Sequence, residues 1–180
     1  NSKVHLLSNI LITSVGKRVS LLNAFVNELG ILFPKNKVFT ADAIPSLSAA
    51  CKLSEQSFLV PRLDSPAYID ELIKICEKND IRLIIPTIDT ELLILAENEK
   101  KFLSNNIIPI ISTFSFIQKC RDKRKTHTFF NDTGIDTAKE YSKLDYSLPL
   151  FIKPIDGSRS SNNYIINNRS DFLDTHFQND

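Results

Sequence analysis

The run NILITSVGKRVSLLNAFVNEL, Asn9 to Leu29, decides the fold class. Its first five residues, Asn9 to Thr13, form a short apolar block rich in β-branched residues, the composition of a buried strand. From Val19 onward, Leu22, Phe25, Val26 and Leu29 fall at i, i+3, i+4 and i+7, the spacing of one helix face packed on a sheet. Gly30 stands where a helix C-cap takes a left-handed residue, which predicts the end of that helix. A strand that is apolar throughout and leads straight into a helix belongs to a parallel sheet covered on both faces.

The same alternation continues along the chain. Lys37 to Ala41 reads as a second strand, Ser46 to Ala50 as a short helical patch, and Ser57 to Val60 as a third strand ended by Pro61. A helix is expected from Pro66 to Lys78, with Ile69, Leu72, Ile73 and Cys76 as its buried stripe. Ile81 to Ile85 is an apolar strand closed by Pro86, Glu91 to Leu103 returns to helix, and Ile107 to Ile111 is the last strand of the series. Residues 1–112 therefore read as one doubly wound, Rossmann-like α/β domain.

After Ser112 the rhythm changes. Two helical stretches, Phe114 to Lys119 and Lys123 to Asn131, precede Gly134 and an irregular run to Pro149. PLFIKP, Pro149 to Pro154, reads as a strand, DGSRSSNN as a polar loop, and NYIINN, Asn163 to Asn168, as the hairpin partner. A further helix is expected to open before Asp180. Residues 113–180 thus start a second, α+β domain without completing it.

Composition excludes several function classes. A formal net charge of +1, with 24% charged residues, makes no electrostatic case for nucleic acid or an anionic membrane. No apolar run approaches the roughly 20 residues that span a bilayer, and Lys17 and Arg18 follow the first apolar stretch instead of preceding it as in a signal peptide. Cys51, Cys76 and Cys120 form no C-x-x-C pair, so neither a disulfide framework nor a zinc site is expected, and a reducing cytoplasm fits. His5, His127 and His176 are scattered and are assigned no chemistry. The chain has no methionine and opens on Asn1, as an internal fragment would, or a sequence from which methionines had been dropped.

Chemistry is expected in three loops. TSVGKRVS, Thr13 to Ser20, joins strand to helix at the edge where doubly wound folds bind ligands, which singles out Ser14, Gly16 and Arg18. It has one glycine where a dinucleotide loop has three, and it is not a P-loop. Lys17 and Arg18 suit an anion, and a solvated turn explains them equally well. Asp42, after the second strand, stands where a dinucleotide fold keeps its ribose-binding acid. In TIDTE, Thr87 to Glu91, Asp89 and Glu91 reach toward a ligand, or Asp89 caps the next helix. The third cluster is CRDKRKT, Cys120 to Thr126, combined with Lys153 and the loop residues Gly157, Ser158, Arg159 and Ser160. Lysines serve as flexible point charges for phosphate oxygens, and a Gly-Ser loop can close backbone N–H groups over them.

In order and spacing, NILITSVGKR, ADAIPSLSAAC, LIIPTIDTELLILAENEKKF, CRDKRKTHTFFNDTGIDTAKEY and PLFIKPIDGSRS resemble carbamoyl-phosphate synthase large subunit-like ATP-grasp proteins, over about Asn9 to Asn168. The resemblance implies a pre-ATP-grasp domain followed by the start of an ATP-grasp domain. It implies that Lys123 and Lys153 bind the ATP phosphates, with Gly157 to Ser161 as a lid. It also implies Mg2+, with ligands beyond residue 180, so that this stretch alone is inactive. The implied activity is a ligase that turns a small carboxylate, bicarbonate included, into an acyl phosphate for attack by an amine or other nucleophile. The loops Ser14 to Arg18 and Thr87 to Glu91 would face that acceptor, and a homodimer is among the assemblies allowed. Arg159 stands where the family often has glycine, and Asp136 and Ala138 replace frequent prolines, which bears on how tightly the lid closes. Two alternatives stay open: a nucleotide- or dinucleotide-binding domain of an oxidoreductase or epimerase, and a degenerate, non-catalytic ATP-grasp module.

Overall fold

The computed structural model describes residues 8–157 and 161–177. The chain divides into two compact units, Asn1–Phe114 and Ser115–Asp180. In the first, strands β1 (Asn9–Thr13), β2 (Val38–Asp42), β3 (Ser57–Leu59), β4 (Ile81–Pro86) and β5 (Ile108–Pro109) form a five-stranded parallel sheet in the order β3-β2-β1-β4-β5. The sheet is α/β and doubly wound, with its strand order reversing between β1 and β4.

Alternation along β1 explains the layering. Leu11 points to one face, into a core with Phe39, Tyr68, Leu72, Ile84, Leu95 and Phe102. Ile10 and Ile12 point to the other, joining Val15, Leu22, Leu29 and Cys51. Helices α3 (Tyr68–Lys78), α4 (Asp89–Glu97) and α5 (Glu99–Ser104) cover the first face, while α1 (Val19–Leu32) and α2 (Ala49–Leu53) cover the second. Leu72 and Cys76 are fully buried, as the α3 stripe requires. Complete burial of a side chain such as Leu72 is worth about 1.5–3 kcal/mol. Phe39 and Phe58 add an edge-to-face pair at 5.8 Å.

Several boundaries differ from the sequence expectation. Helix α1 does not stop at Gly30 but runs to Leu32, where the Phe33 N–H returns to the Leu29 carbonyl at 2.7 Å. Gly30 has no positive φ and supplies no cap. Val26, expected on the buried face, is 46% exposed, and α1 meets the sheet through buried Leu22 and Leu29 with Val19, Leu21 and Phe25 packed beside them. The helix expected over Glu91 to Leu103 is broken at Asn98, whose side-chain amide donates to the Ile94 carbonyl at 2.9 Å and whose φ and ψ of −106° and 12° leave the helical range. The last strand keeps only Ile108 and Pro109, and Pro109 has no N–H to extend the ladder.

The second unit contains α6 (Phe114–Arg121, which starts at the boundary), α7 (Lys123–Asp132) and an antiparallel pair, β6 (Leu150–Ile152) and β7 (Tyr164–Ile166). Two 3-10 helices, Arg169–Asp171 and Asp174–Phe177, follow, where a helix was expected to open. Among the described residues no helix is long and apolar enough to cross a membrane.

Candidate functional site

In the first unit, the strand order places a crevice at the C-terminal ends of β1 and β4, where the chain connections diverge. Thr13 and Pro86 are register partners at that edge. The turn that follows β1 is unusual: Ser14 has φ +50°, a left-handed value rare for a residue with a Cβ, and Gly16 has φ +52°. Neighbouring loops hold it in place. The Gly16 N–H donates to Asp42 Oδ2 at 2.9 Å, and the Gly16 carbonyl accepts from Ser48 Oγ at 2.7 Å and from the Ala50 N–H at 3.0 Å. From the β4 side, Thr87 Oγ1 lies 2.9 Å from the Thr13 carbonyl oxygen and 2.7 Å from that of Ser14.

Asp42 therefore performs a local task. Its second oxygen accepts the Ile44 N–H at 3.1 Å, so the carboxylate ties two loops together at the position where a ribose-binding acid was considered. Arg18 is exposed at the start of α1, with its guanidinium 3.4 Å from the Ser14 carbonyl oxygen. Asp89 is not the N-cap of α4. That position is Ile88, and Asp89 is the first helical residue, where its charge favours the helix N-terminus.

Glu91 is the residue that sequence reading undervalued. It is fully buried; the Tyr68 hydroxyl donates to its Oε1 at 2.6 Å and the Ser14 hydroxyl to its Oε2 at 2.9 Å. Burial pushes the Glu91 carboxyl above the usual carboxylate range, against the pull of those hydroxyls. Burial first, and then the nearby Glu91 charge, push the Tyr68 phenol far up as well. The Thr13 hydroxyl is buried beside Glu91 and is outside hydrogen-bond geometry with any partner among the described residues. No local motif announces this cluster, because Ser14 and Glu91 are 77 residues apart.

In the second unit, Lys123 and Lys153 line one open cleft, together with His127, Tyr146, Tyr164 and His176. The sequence places Lys123 at the first position of α7 because Asp122 is a true N-cap, accepting from the Arg124 and Lys125 N–H groups at 2.9 and 3.1 Å. The Lys123 ammonium donates to the carbonyl oxygens of Ile155 at 3.2 Å and Gly157 at 3.1 Å. Lys153 follows β6, is exposed, and has no hydrogen bond or ion pair among the described residues. A Cβ at Gly157 would sit 3.3 Å from Pro154 Cβ and 3.9 Å from Lys123 Nζ, so the loop approaches the lysine closely there. Ser158, Arg159 and Ser160 lie outside the described residues, as does His5. Of the rest of the basic run, Arg124 also lines the cleft, Arg121 pairs with Asp156 at 2.6 Å, and Lys125 reaches Asp122 at 3.9 Å.

His127, assigned no chemistry from the sequence, organises the cleft wall. Its Nε2 lies 2.5 Å from the Ala138 carbonyl oxygen and 2.6 Å from Thr137 Oγ1, and its Nδ1 lies 3.5 Å from a Glu140 oxygen. Tyr164 and His176 stack with centroids 4.3 Å apart.

Comparison with known proteins agrees with this architecture. The structure is similar to pyruvate carboxylase of Rhizobium etli in complex with the allosteric activator acetyl coenzyme A, at 18% identity and a TM-score of 0.60, covering 92% of this chain and 16% of that one. It is similar to the biotin carboxylase domain dimer of Hydrogenobacter thermophilus 2-oxoglutarate carboxylase, solved with MgADP, ADP and bicarbonate, at 16% identity and a TM-score of 0.63, covering 91% and 38%. It is also similar to the biotin carboxylase subunit of a pyruvate carboxylase, at 14% identity and a TM-score of 0.54, covering 90% and 38%. At such identities the likeness speaks for the fold alone, and the chain spans well under half of each neighbour. No curated protein matches it in sequence. A family model does match residues 10–111, more than half of the chain and nearly the whole described sheet, and by that match the chain belongs to the PylC-like N-terminal domain family.

Proposed function

We propose that this chain is the N-terminal part of an ATP-grasp ligase that activates a small carboxylate as an acyl phosphate. In this proposal residues 1–112 are the pre-ATP-grasp domain and residues 113–180 open the ATP-grasp domain. The observation that carries it is the convergence of Lys123 and Lys153 on one cleft beside the Gly157 loop. Two ammonium groups lining one cleft offset the charge of phosphate oxygens, and the exposed Lys153 is free to move onto them. The γ-phosphoryl group of ATP passes to a carboxylate oxygen, ADP leaves, and a nucleophile then displaces phosphate from the acyl carbon. Further support comes from the neighbours with the same fold, one of which was solved with ADP, magnesium and bicarbonate. Bicarbonate is accordingly one candidate acceptor, whether in a carbamoyl-phosphate synthase-like or a biotin carboxylase-like reaction.

Among the described residues no group of three or more His, Cys, Asp or Glu side chains fits a metal ion. In this proposal the ligands of Mg2+ lie outside these residues, and the chemistry assigned to the residues present is that of their own cations and hydroxyls. The switch-point crevice at Ser14, Gly16, Arg18 and Asp89 is the proposed acceptor side. ADP release by the complete protein with ATP and a panel of carboxylates tests the proposal. Release that depends on one acceptor is expected; no ATP binding by the complete protein would overturn it and leave a non-catalytic module of the same fold.

A further inference from the structure

Lys123, His127 and Asn131 follow one another at four-residue steps on α7, so they share one face of that helix. Lys123 donates to the Ile155 and Gly157 carbonyls, while His127 and Asn131 hold the segment from Thr137 to Glu140. The Ala138 carbonyl can only accept, so its 2.5 Å contact places a hydrogen on His127 Nε2. The Thr137 hydroxyl gives its own hydrogen to Asn131 Oδ1 at 2.9 Å, which turns its lone pairs to the same Nε2–H at 2.6 Å. This segment belongs to no strand or helix, so these bonds take the place of a backbone ladder.

Fastening the segment also sorts the charges of the cleft. Its described lining carries the cations Lys123, Arg124, Lys139, Lys143 and Lys153 and the acid Glu140. The Glu140 carboxylate lies 3.5 Å from His127 Nδ1 and pairs with no lysine or arginine among the described residues. Its neighbour Lys139 is exposed, and its ammonium lies 4.7 Å from the centre of the Tyr141 ring, with no ion pair among the described residues. An exposed cation–π contact is weak beside a charge-assisted bond to phosphate, so this ammonium is available to an anion. We propose that Lys139 is a third phosphate-binding cation of the cleft and that His127 is the positioning residue that sets it in place. Neither residue belongs to the basic run from Cys120 to Thr126 that Lys153 joins as a second arm, except that His127 follows it directly. The inference rests on reading the cleft as the ATP site of the ligase.

The test is a double-mutant cycle on the complete protein, with ATP as the titrant. Lys139→Ala, a change at an exposed side chain, should weaken ATP binding roughly 5- to 10-fold, the lower end for one charge-assisted contact. His127→Phe, which keeps a ring and loses the donor, should weaken it to a similar extent. If His127 acts through Lys139, adding Lys139→Ala to His127→Phe should cost less than about a further twofold, whereas independent sites multiply their losses. His127→Gln, which keeps an N–H donor for the Ala138 carbonyl, should recover most of the affinity. Selective 15N-histidine labelling, with the signal assigned by His127→Gln, should show Nε2 protonated. Unchanged affinity in Lys139→Ala, multiplied losses in the double variant, no rescue by glutamine, or a bare Nε2 would each overturn the proposal. Loss of affinity in Lys153→Ala with none in Lys139→Ala would sink this inference and leave the ligase reading standing, whereas no ATP binding by the wild type would sink both.

Discussion

The Asp42 carboxylate and the Gly16 amide, 26 residues apart in sequence, meet in a 2.9 Å hydrogen bond that closes the β1 loop against the β2 loop. Because the other Asp42 oxygen accepts the Ile44 N–H, one side chain satisfies two backbone donors in two loops. Asp42→Ala leaves both without that partner and should cost about 2 kcal/mol of stability. Asp42→Asn keeps one acceptor and should cost about half as much. Urea denaturation of the two variants checks the ratio; equal losses would mean that only one of the bonds matters.

The buried acid predicts a pH dependence of stability. Burial raises the folded-state pKa of Glu91, so between the unfolded glutamate value, about 4.3, and the raised folded value the native state binds a proton that the unfolded chain has released. Stability from this group is therefore complete below that window, falls as pH rises through it, and levels off above. Glu91→Gln should remove that slope while keeping a partner for both hydroxyls, and Glu91→Ala should cost about 3 kcal/mol by orphaning Ser14 and Tyr68. The wild-type minus Gln difference across pH isolates the effect from exposed pairs such as Asp70 with Lys101. That ion pair pulls the Asp70 carboxyl down and works in the opposite direction at low pH.

The three cysteines should separate cleanly in alkylation. Cys51 and Cys76 are buried, and burial pushes the Cys76 thiol up to about 12, while Cys120 is exposed. One thiol should react at once in the native protein and two only after unfolding, with Cys120→Ser removing the fast one. Mass mapping of the labelled peptide decides the assignment.

These contacts show where sequence reading works and where it stops. NILIT and the Ile69, Leu72, Ile73, Cys76 stripe were legible because burial leaves a local period in the residues themselves. The parallel, doubly wound class followed from the alternation of such strands with helices. Gly30 misled because α1 ends through a backbone return from Phe33 to Leu29, which any residue can make. Glu91 was read only as a ligand contact beside Asp89, and its burial was missed for a different reason. Its partners come from α3 and the β1 loop, 23 and 77 residues away, and an acid followed by leucines looks locally like a solvated helix start. The Lys123 to Gly157 contact is equally non-local, with a separation of 34 residues. The basic run marked its position, but Asp122 and Asp156 decided which cations turn to the cleft.

Lys123 and Lys153 line the same cleft but are held differently, which gives the most discriminating prediction for the proposed phosphate site. Lys123 is tied to the Ile155 and Gly157 carbonyls, whereas Lys153 makes no such bond among the described residues. In the complete protein Lys153→Ala should weaken ATP binding by about 1–3 kcal/mol, roughly 5- to 150-fold, without lowering the melting temperature. Lys123→Ala should weaken binding by a similar amount and also lower the melting temperature, because two loop carbonyls lose their donor. Lys123→Arg keeps the charge but replaces a compact ammonium with a planar fork, and should restore less than half of the lost affinity. Calorimetric titration with ATP beside thermal unfolding measures both quantities. Equal melting losses for the two alanine variants would show that the carbonyl contacts of Lys123 do not anchor the loop, and unchanged ATP affinity in both would remove the pair from the site.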